Sequence, residues 1–343
     1  MPAPIVQIRE LTKIYVRDVI GTEFGQIKIR FKNRKVAALQ SLTLDVEEGQ
    51  IFGLLGPNGA GKTTAIKILM GLIFPSSGTA TLMGKPLGDK SVKERIGFLP
   101  ENPYFYDYLK GYEFLNYYGQ LYGMHYRDRK KKIPELLELV GLSQAADLPL
   151  KGYSKGMLQR IGLAQAILND PRIVFLDEPQ SGLDPFGRKE VRDLILSLKE
   201  RGSTVFFSSH ILSDAEMICD RVAILSRGRL VNVGALEDIL SARIMAYEIE
   251  AANMPENLIR DMEKDSLKTL RRKQNVLFVV EQEEQADRMI KKILSSSGRM
   301  VSFVPRRETL EEYFFRKIES HPGSGDSASF RDKEKQDIAG DKE

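Results

Sequence analysis

Residues 53–64 read GLLGPNGAGKTT. Within them Gly56-Pro57-Asn58-Gly59-Ala60-Gly61-Lys62-Thr63 fits G-x-x-x-x-G-K-[ST], the phosphate-loop pattern. Glycine is required there because only glycine lets backbone N–H groups turn inward and approach phosphate oxygens closely. Lys62 would reach the β and γ phosphates of a nucleotide, and the hydroxyl of Thr63 would face Mg2+. The apolar run IFGLL (51–55) before the loop reads as a short buried strand. The run TTAIKILMGL (63–72) after it reads as a helix closed by Pro75, and its first residues, Thr63 and Thr64, sit at the positive end of the helix dipole. A chance glycine turn would not bring a strand before it and a helix after it.

A second stretch completes this chemistry. RIVFL (172–176) is continuously apolar, the pattern of a parallel strand buried on both faces. It ends in Asp177 and Glu178. In open α/β sheets ligands bind at the carboxyl ends of the strands, so both acids fall beside the phosphate loop. Asp177 is expected to hold Mg2+, directly or through water, and Glu178 to polarise an attacking water. The plain alternative is an acidic loop cap, and the pairing with a phosphate loop argues against it.

The rest of the chain fills out an α/β pattern. PFGRKEVRDLILSLKERG predicts a helix with Asp184 as N-cap, Pro185 at its first position and Gly202 at its end. STVFFSSH predicts a buried strand, ILSDAEMICD a helix, and RVAILSRGRLVNVG a hairpin turning at Arg227-Gly228. IVQIRELTKIYV, ALQSLTLDVEEG and GTATLMGKPL predict strands, and PELLELVGL a helix. Residues 17–35 form a basic insert in which Ile27, Ile29 and Phe31 alternate with Lys28, Arg30 and Lys32. Its cationic positions fit either contact with anionic lipid headgroups or a partner loop, or a solvated hairpin whose charges discourage edge pairing. ENPYFYDYLKGYEFLNYYGQLYGMHY (101–126) holds eight of the chain's twelve tyrosines. Residues 245–318 predict a separate small α+β domain, with strands at YEIEA, VLFVVE and RMVSFVP and helices near 255–264, 283–296 and 308–318. Residues 319–343 are nearly free of apolar side chains and predict a disordered tail.

Bulk properties limit the function classes. The chain has 343 residues, 42% hydrophobic and 29% charged, which suits a globular protein with a real core. Its formal net charge of +4 is too small on this length to demand a nucleic-acid partner. One cysteine, Cys219, excludes an intramolecular disulfide and fits a reducing cytosol as an inert buried thiol. No apolar run approaches the ~18 residues of a membrane span, and MPAPIVQIRE lacks the layout of a secretory signal. A cytoplasmic chain that meets a membrane only through a partner is expected.

One run stays unexplained by a simple nucleotide-binding domain: KGYSKGMLQRIGLAQAIL (151–168) is a second glycine-bearing helix start far from the phosphate loop. In order along the chain stand GPNGAGKTT, LPEN, YSKGMLQR, IVFLDEP, SGLD and SSH. This series resembles the ATP-binding subunits of ABC transporters, over residues 5–240, and YSKGMLQR is similar to their signature motif in the variant of bacterial drug-efflux exporters. The resemblance implies a P-loop NTPase core of three layers with a mixed sheet, an antiparallel β subdomain and a helical subdomain spanning about 102–165. It further implies that two subunits face head to tail, each ATP lying between one phosphate loop and the other subunit's signature. The residues agree with that assignment: Ser154 is a good N-cap for a helix at 155–168, and Gly156 allows close backbone approach to a γ-phosphate.

By the same resemblance Tyr15 matches the aromatic that stacks on adenine, against the plain alternative of a core tyrosine. Glu101 stands where much of the family has glutamine, placing an extra negative charge by the γ-phosphate. Ser181, Gly182, Leu183 and Asp184 match the loop that crosses the dimer interface, and His210 matches the switch histidine at the γ-phosphate. Lys155 replaces a usual glycine and Met157 a usual glutamine. Tyr104, Phe105 and Tyr106 are expected to line a cleft that receives the membrane subunit, while other aromatics of that stretch pack the helical subdomain. The implied function is ATP hydrolysis, with ATP and Mg2+, powering export through a separate transmembrane permease, as a homodimer on the inner face of the cell membrane and without nucleic acid. A non-transport ABC ATPase of ribosomes or DNA would usually carry two ATPase units or a long coiled coil. An inactive regulatory module would not keep Lys62, Asp177, Glu178 and His210.

Overall fold

The structure, a computed structural model, describes residues 3–23, 26–240 and 244–319. The chain divides into two compact units, Met1–Leu236 and Glu237–Ser320.

The first unit opens with a long hairpin, β1 (Val6–Glu23) and β2 (Gln26–Val46), in antiparallel register from Val6 opposite Val46 to Glu23 opposite Gln26. The expected strand within ALQSLTLDVEEG (38–49) is therefore the far part of one longer strand. The side-chain faces expected for the basic insert at 17–35 lie outside the described residues. Next come β3 (Ile51–Leu55), α1 (Lys62–Leu69), β4 (Ser77–Leu82), β5 (Lys85–Pro86), α2 (Lys90–Lys93) and β6 (Ile96–Leu99). Helix α1 stops earlier than Pro75 would require, because Gly71 turns left-handed at φ 68° and ends it.

Three helices follow: α3 (Gly111–Leu121), α4 (Tyr126–Leu139) and α5 (Lys155–Ala166). Helix α4 begins eight residues before Pro134, where the sequence places its start, and carries the proline inside. Pro134 has no N–H to give the carbonyl four residues back, a local loss the helix tolerates. The unit then runs through β7 (Ile173–Asp177), α6 (Pro185–Glu200), β8 (Thr204–Ser209), α7 (Leu212–Glu216), β9 (Arg221–Ser226) and β10 (Arg229–Ala235), and α8 (Leu236–Leu240) leads out of it.

Two sheets result. One is antiparallel, in the order β2-β1-β4-β5. The other has the order β10-β9-β3-β8-β7-β6, parallel except for β10. Strands β3, β7 and β8 are buried at every position, as expected for parallel strands covered on both faces. Helix α1 lies in the core between the sheets: Ala65, Ile66, Ile68 and Leu69 join one apolar cluster with Leu39, Leu42 and Leu44 of β2 and Phe52 and Phe206 of the central strands. Phe206 sits between Phe52 and Phe175, at 5.4 and 5.5 Å between ring centres. Each such buried ring contributes about 1.5–3 kcal/mol. Because β8 lies between β3 and β7, the carboxyl ends of all three strands, and the loops that leave them, are neighbours.

The second unit consists of β11 (Ile244–Ala252), α9 (Glu256–Lys264), β12 (Lys268–Arg272), β13 (Asn275–Val280), α10 (Glu283–Leu294), β14 (Arg299–Arg307) and α11 (Leu310–Glu319). The sheet is antiparallel throughout, in the order β12-β13-β11-β14. This is the split β-α-β-β-α-β, ferredoxin-like arrangement. Its core joins Tyr247 and Ile249 of β11 and Phe278 and Val280 of β13 to Met262 of α9 and Met289 and Ile293 of α10. The tail expected beyond residue 319 lies outside the described residues.

Candidate nucleotide site

The loop between β3 and α1 has the conformation that its glycines predict. Gly56 lies at φ 152° and Gly61 at φ 106°. Space is as restrictive as conformation. A Cβ at Gly56 would come within 2.2 Å of the Leu225 carbonyl oxygen, and one at Gly61 within 2.3 Å of that of Ala38. Gly59 has open space around it, and Asn58 is exposed. Ala60 donates its N–H to the Pro57 carbonyl at 3.1 Å and accepts from Gly228 N–H at 3.0 Å, so the β9–β10 turn buttresses the loop. Thr64 is half-buried in the first turn of α1.

Lys62 is only 5% exposed. Its ammonium donates to the carbonyl oxygens of Gly56 (2.6 Å) and Pro57 (3.1 Å) and pairs with Glu178 Oε1 at 2.9 Å. The other Glu178 oxygen faces His210: Oε2 lies 2.7 Å from the ring Nδ1 and accepts the backbone N–H at 3.3 Å. Next to this chain, Thr63 Oγ1 donates to Asp177 Oδ1 at 3.0 Å. Ser208 Oγ donates to the same oxygen at 2.7 Å and accepts the Glu178 N–H at 2.9 Å. Glu178 itself is left-handed at φ 51°, a strain of about 1–3 kcal/mol of the kind that gathers at functional sites.

The two adjacent acids are driven in opposite directions. Burial pushes the Asp177 carboxyl above its usual range, and the hydroxyls of Ser208 and Thr63 only partly restrain it. Burial also pushes Glu178 up, but the His210 contact and the Lys62 charge together bring it below the usual glutamate value. Diverging environments of neighbouring acids assign them different tasks. The Asp177–Thr63 pair is a hard-oxygen set that suits Mg2+. Among the described residues no three His, Cys, Asp or Glu side chains cluster as a metal site.

The structure thus joins Lys62, Thr63, Asp177, Glu178 and His210 by direct contacts. Gly56 and Pro57 join this cluster through the Lys62 ammonium, and Ser181 joins it by donating its N–H to the Glu178 carbonyl at 3.1 Å. Tyr15, Glu101, Ser154, Gly156 and Asp184 stand apart from it, with no hydrogen bond or ion pair to it among the described residues. Tyr15, on β1, is 37% exposed and carries Lys13 Nζ 5.2 Å from its ring centre. Glu101 is exposed after β6. Ser154 caps α5, its Oγ accepting the Met157 N–H at 3.2 Å. A Cβ at Gly156 would meet nothing closer than 4.0 Å, so its backbone is open to a ligand. Asp184 caps α6 through Gly187 N–H at 2.7 Å. Ser208 was not anticipated from sequence. Its signal was the register of two buried strands, which sets it opposite Asp177.

Comparison with known proteins agrees with this geometry. The family profile described as ABC transporter matches residues 39–181. An uncharacterised ABC transporter ATP-binding protein of Synechocystis is 46% identical over 318 residues, which cover 92% of this chain and 85% of that protein. A fluoroquinolones export ATP-binding protein of Mycobacterium tuberculosis is 39% identical over 65% of this chain and 75% of its own. Among solved structures, a dimeric ATP-binding cassette in a post-hydrolysis state with ADP and Pi is similar in fold, with a TM-score of 0.58 and 24% identity over 67% of this chain and 98% of that one. Among the described residues no helix is long and apolar enough to cross a membrane. A chain that keeps this fold and this site and matches such a relative over most of both lengths belongs to the ATP-binding subunits of ABC transporters, and it is an ATPase of that family.

Proposed function

We propose that the chain powers export through a separate transmembrane permease, and that two copies close head to tail around two ATP molecules. Residues 1–240 serve as the ABC ATP-binding domain, with the helical subdomain at about 102–165, and residues 245–318 as a C-terminal domain outside the chemistry. The chain works in the cytoplasm, at the inner face of the cell membrane, which it touches through its permease. The observation that carries the hydrolytic reading is the linked set Lys62–Glu178–His210 beside Thr63–Asp177, at the ends of three adjacent strands. Drug export by a relative supports the direction of transport.

In this reading Gly56–Thr64 cradle the phosphates, and Tyr15 offers the free face of its ring to adenine. Lys62 leaves Glu178 for the β and γ phosphates. Glu178, released on that side and still oriented by His210, takes the proton of the attacking water. Mg2+, held by Thr63 and Asp177, would neutralise charge on the β and γ phosphates. Glu101 and His210 flank the γ-phosphate, and the partner copy supplies Ser154, Gly156 and the loop ending at Asp184. Catalysis of this type is mostly positioning and charge stabilisation.

The permease contact falls on the aromatic stretch. Phe105 packs inward against Phe114 at 5.5 Å, while Tyr104 is 86% and Tyr108 73% exposed, joined through Tyr106 at 6.3 and 6.1 Å. Tyr104 and Tyr106 therefore suit the docking cleft better than Phe105. The head-to-tail reading is tested by sedimentation of the Glu178→Gln chain in saturating ATP–Mg2+. A dimer is expected, and a monomer there overturns it.

A further inference from the structure

Helix α7, which follows His210, has five residues, too few to hold a helix in place by its own bonds. Its anchor is Asp214, which is 5% exposed. Asp214 Oδ1 accepts from Arg192 Nη1 at 2.6 Å, and Oδ2 lies 3.7 Å from Arg188 Nη1. The two arginines are one turn apart on α6 and share a face. The same stretch of α6 leads back to the site. Arg188's carbonyl accepts from the Nε2 of Gln180 at 3.4 Å, and Gln180, itself 1% exposed, is two residues beyond Glu178. The start of α6 is capped by Asp184. The links close a ring: Glu178 to His210, along the chain to Asp214, across to Arg192 and Arg188, through Gln180, and back to Glu178.

We propose that Asp214, gripped by Arg192 and Arg188, is a positioning residue for ATP hydrolysis. It sets His210 against Glu178, and it ties that histidine to the loop Ser181–Asp184 through α6. The proposal rests on the reading that His210 acts at the γ-phosphate. A carboxylate suits the task because it can engage two arginines at once, and because burial makes the pairing intolerant of a missing partner. A displacement of about 1 Å at a reacting group can cost up to about 100-fold in rate, so an anchor four residues along the chain from His210 can matter.

The test is a double-mutant cycle on the full chain, reading kcat, KM for ATP and melting temperature. Asp214→Asn is expected to lower kcat roughly tenfold and to shift KM less than about twofold. In a His210→Ala background the same substitution is expected to change kcat less than about twofold, because the residue through which it acts is gone. The paired variant Arg192→Gln with Asp214→Asn, which removes the closer arginine together with the carboxylate and leaves only the more exposed Arg188, should show the same dependence on His210. That variant carries the comparison if Asp214→Asn alone fails to melt cooperatively. If the loss of kcat is equal with and without His210, Asp214 is merely structural and the proposal is overturned. If His210→Ala alone keeps full turnover, the role of His210 fails instead, an outcome separable from the first.

Discussion

Lys62 and Glu178 neutralise each other at 2.9 Å while both are almost fully buried, so in the proposed reading the nucleotide breaks an ion pair to recruit the lysine. Glu178→Gln removes that competition together with the proton acceptor. The expected outcome is turnover lower by at least about 100-fold, with ATP bound more tightly than by the unsubstituted chain, read by phosphate release and by calorimetry without Mg2+. Weaker ATP binding would show that the pair does not restrain Lys62. Asp177 presents the opposite balance. Its folded pKa is raised, so its ionisation costs the folded state stability at every pH above the usual 3.8, neutrality included. Asp177→Asn should therefore raise the nucleotide-free stability at neutral pH, and this gain should vanish as the pH falls below that value. Hydrolysis should be lost in the same variant, and thermal melting across pH checks the stability claim. For Glu178 the sign reverses: its folded pKa is lowered, so its contribution is present above the usual 4.5 and disappears as the pH falls through the lower folded value. At this scale the cluster was legible wherever chain spacing fixes the chemistry, as in Gly56–Thr63 and Asp177-Glu178. Ser208 and the Asp214–Arg192 pair were not, because their partners are set by strand register and helix packing.

Elements meet in this molecule at points that tolerate no extra atom. Gly97 of β6 faces the end of α5, and a Cβ there would lie 1.9 Å from the Ala166 carbonyl oxygen. That obstacle is backbone, which cannot swing aside. Gly97→Ala should therefore destabilise the chain by about 1–3 kcal/mol, visible as a lower urea midpoint with an unchanged slope. A substitution without effect would mean that α5 can move off the sheet. Cys219 is a second such point. It is 8% exposed, burial holds its thiol well above the usual range, and a Cβ at Gly53 would lie 2.7 Å from its sulfur. As the only cysteine, it should resist maleimide in the native chain and react fully in denaturant, which mass spectrometry reads directly. Elements with a strong apolar period were legible in advance, β3, β7, β8 and α6 above all. Helix α4 was read short because YRDRKKKI has no apolar stripe and Pro134 mimics a start signal. Strand β12, KTLRR, was missed because an exposed basic edge strand is defined by its pairing with β13 and not by its own pattern.

The whole molecule separates the two stations proposed to bind phosphate. Lys62 opens α1 beside the carboxyl ends of the central strands, while Ser154 opens α5 in the helical region, where its Oγ accepts the Met157 N–H. The sequence disclosed both stations and the α/β order between them, because each carries a local glycine and cap signature. The split arrangement of the second unit was not disclosed, since its strand order depends on pairings distant in sequence. If the two stations belong to different copies of the chain, defects in them must complement. Lys62→Ala destroys one cradle, and Ser154→Arg blocks one helix tip. Each variant alone should be nearly inactive. Mixed at equal amounts, half of the dimers contain one of each variant, and in those one of the two sites combines an intact cradle with an intact tip. The mixture should then recover about one quarter of the original turnover, provided the two sites act independently. Recovery should rise with the square of chain concentration while dimers are scarce. A site built within one chain would give no recovery at any mixing ratio, so the concentration series of this one assay decides whether the nucleotide is held by one polypeptide or by two.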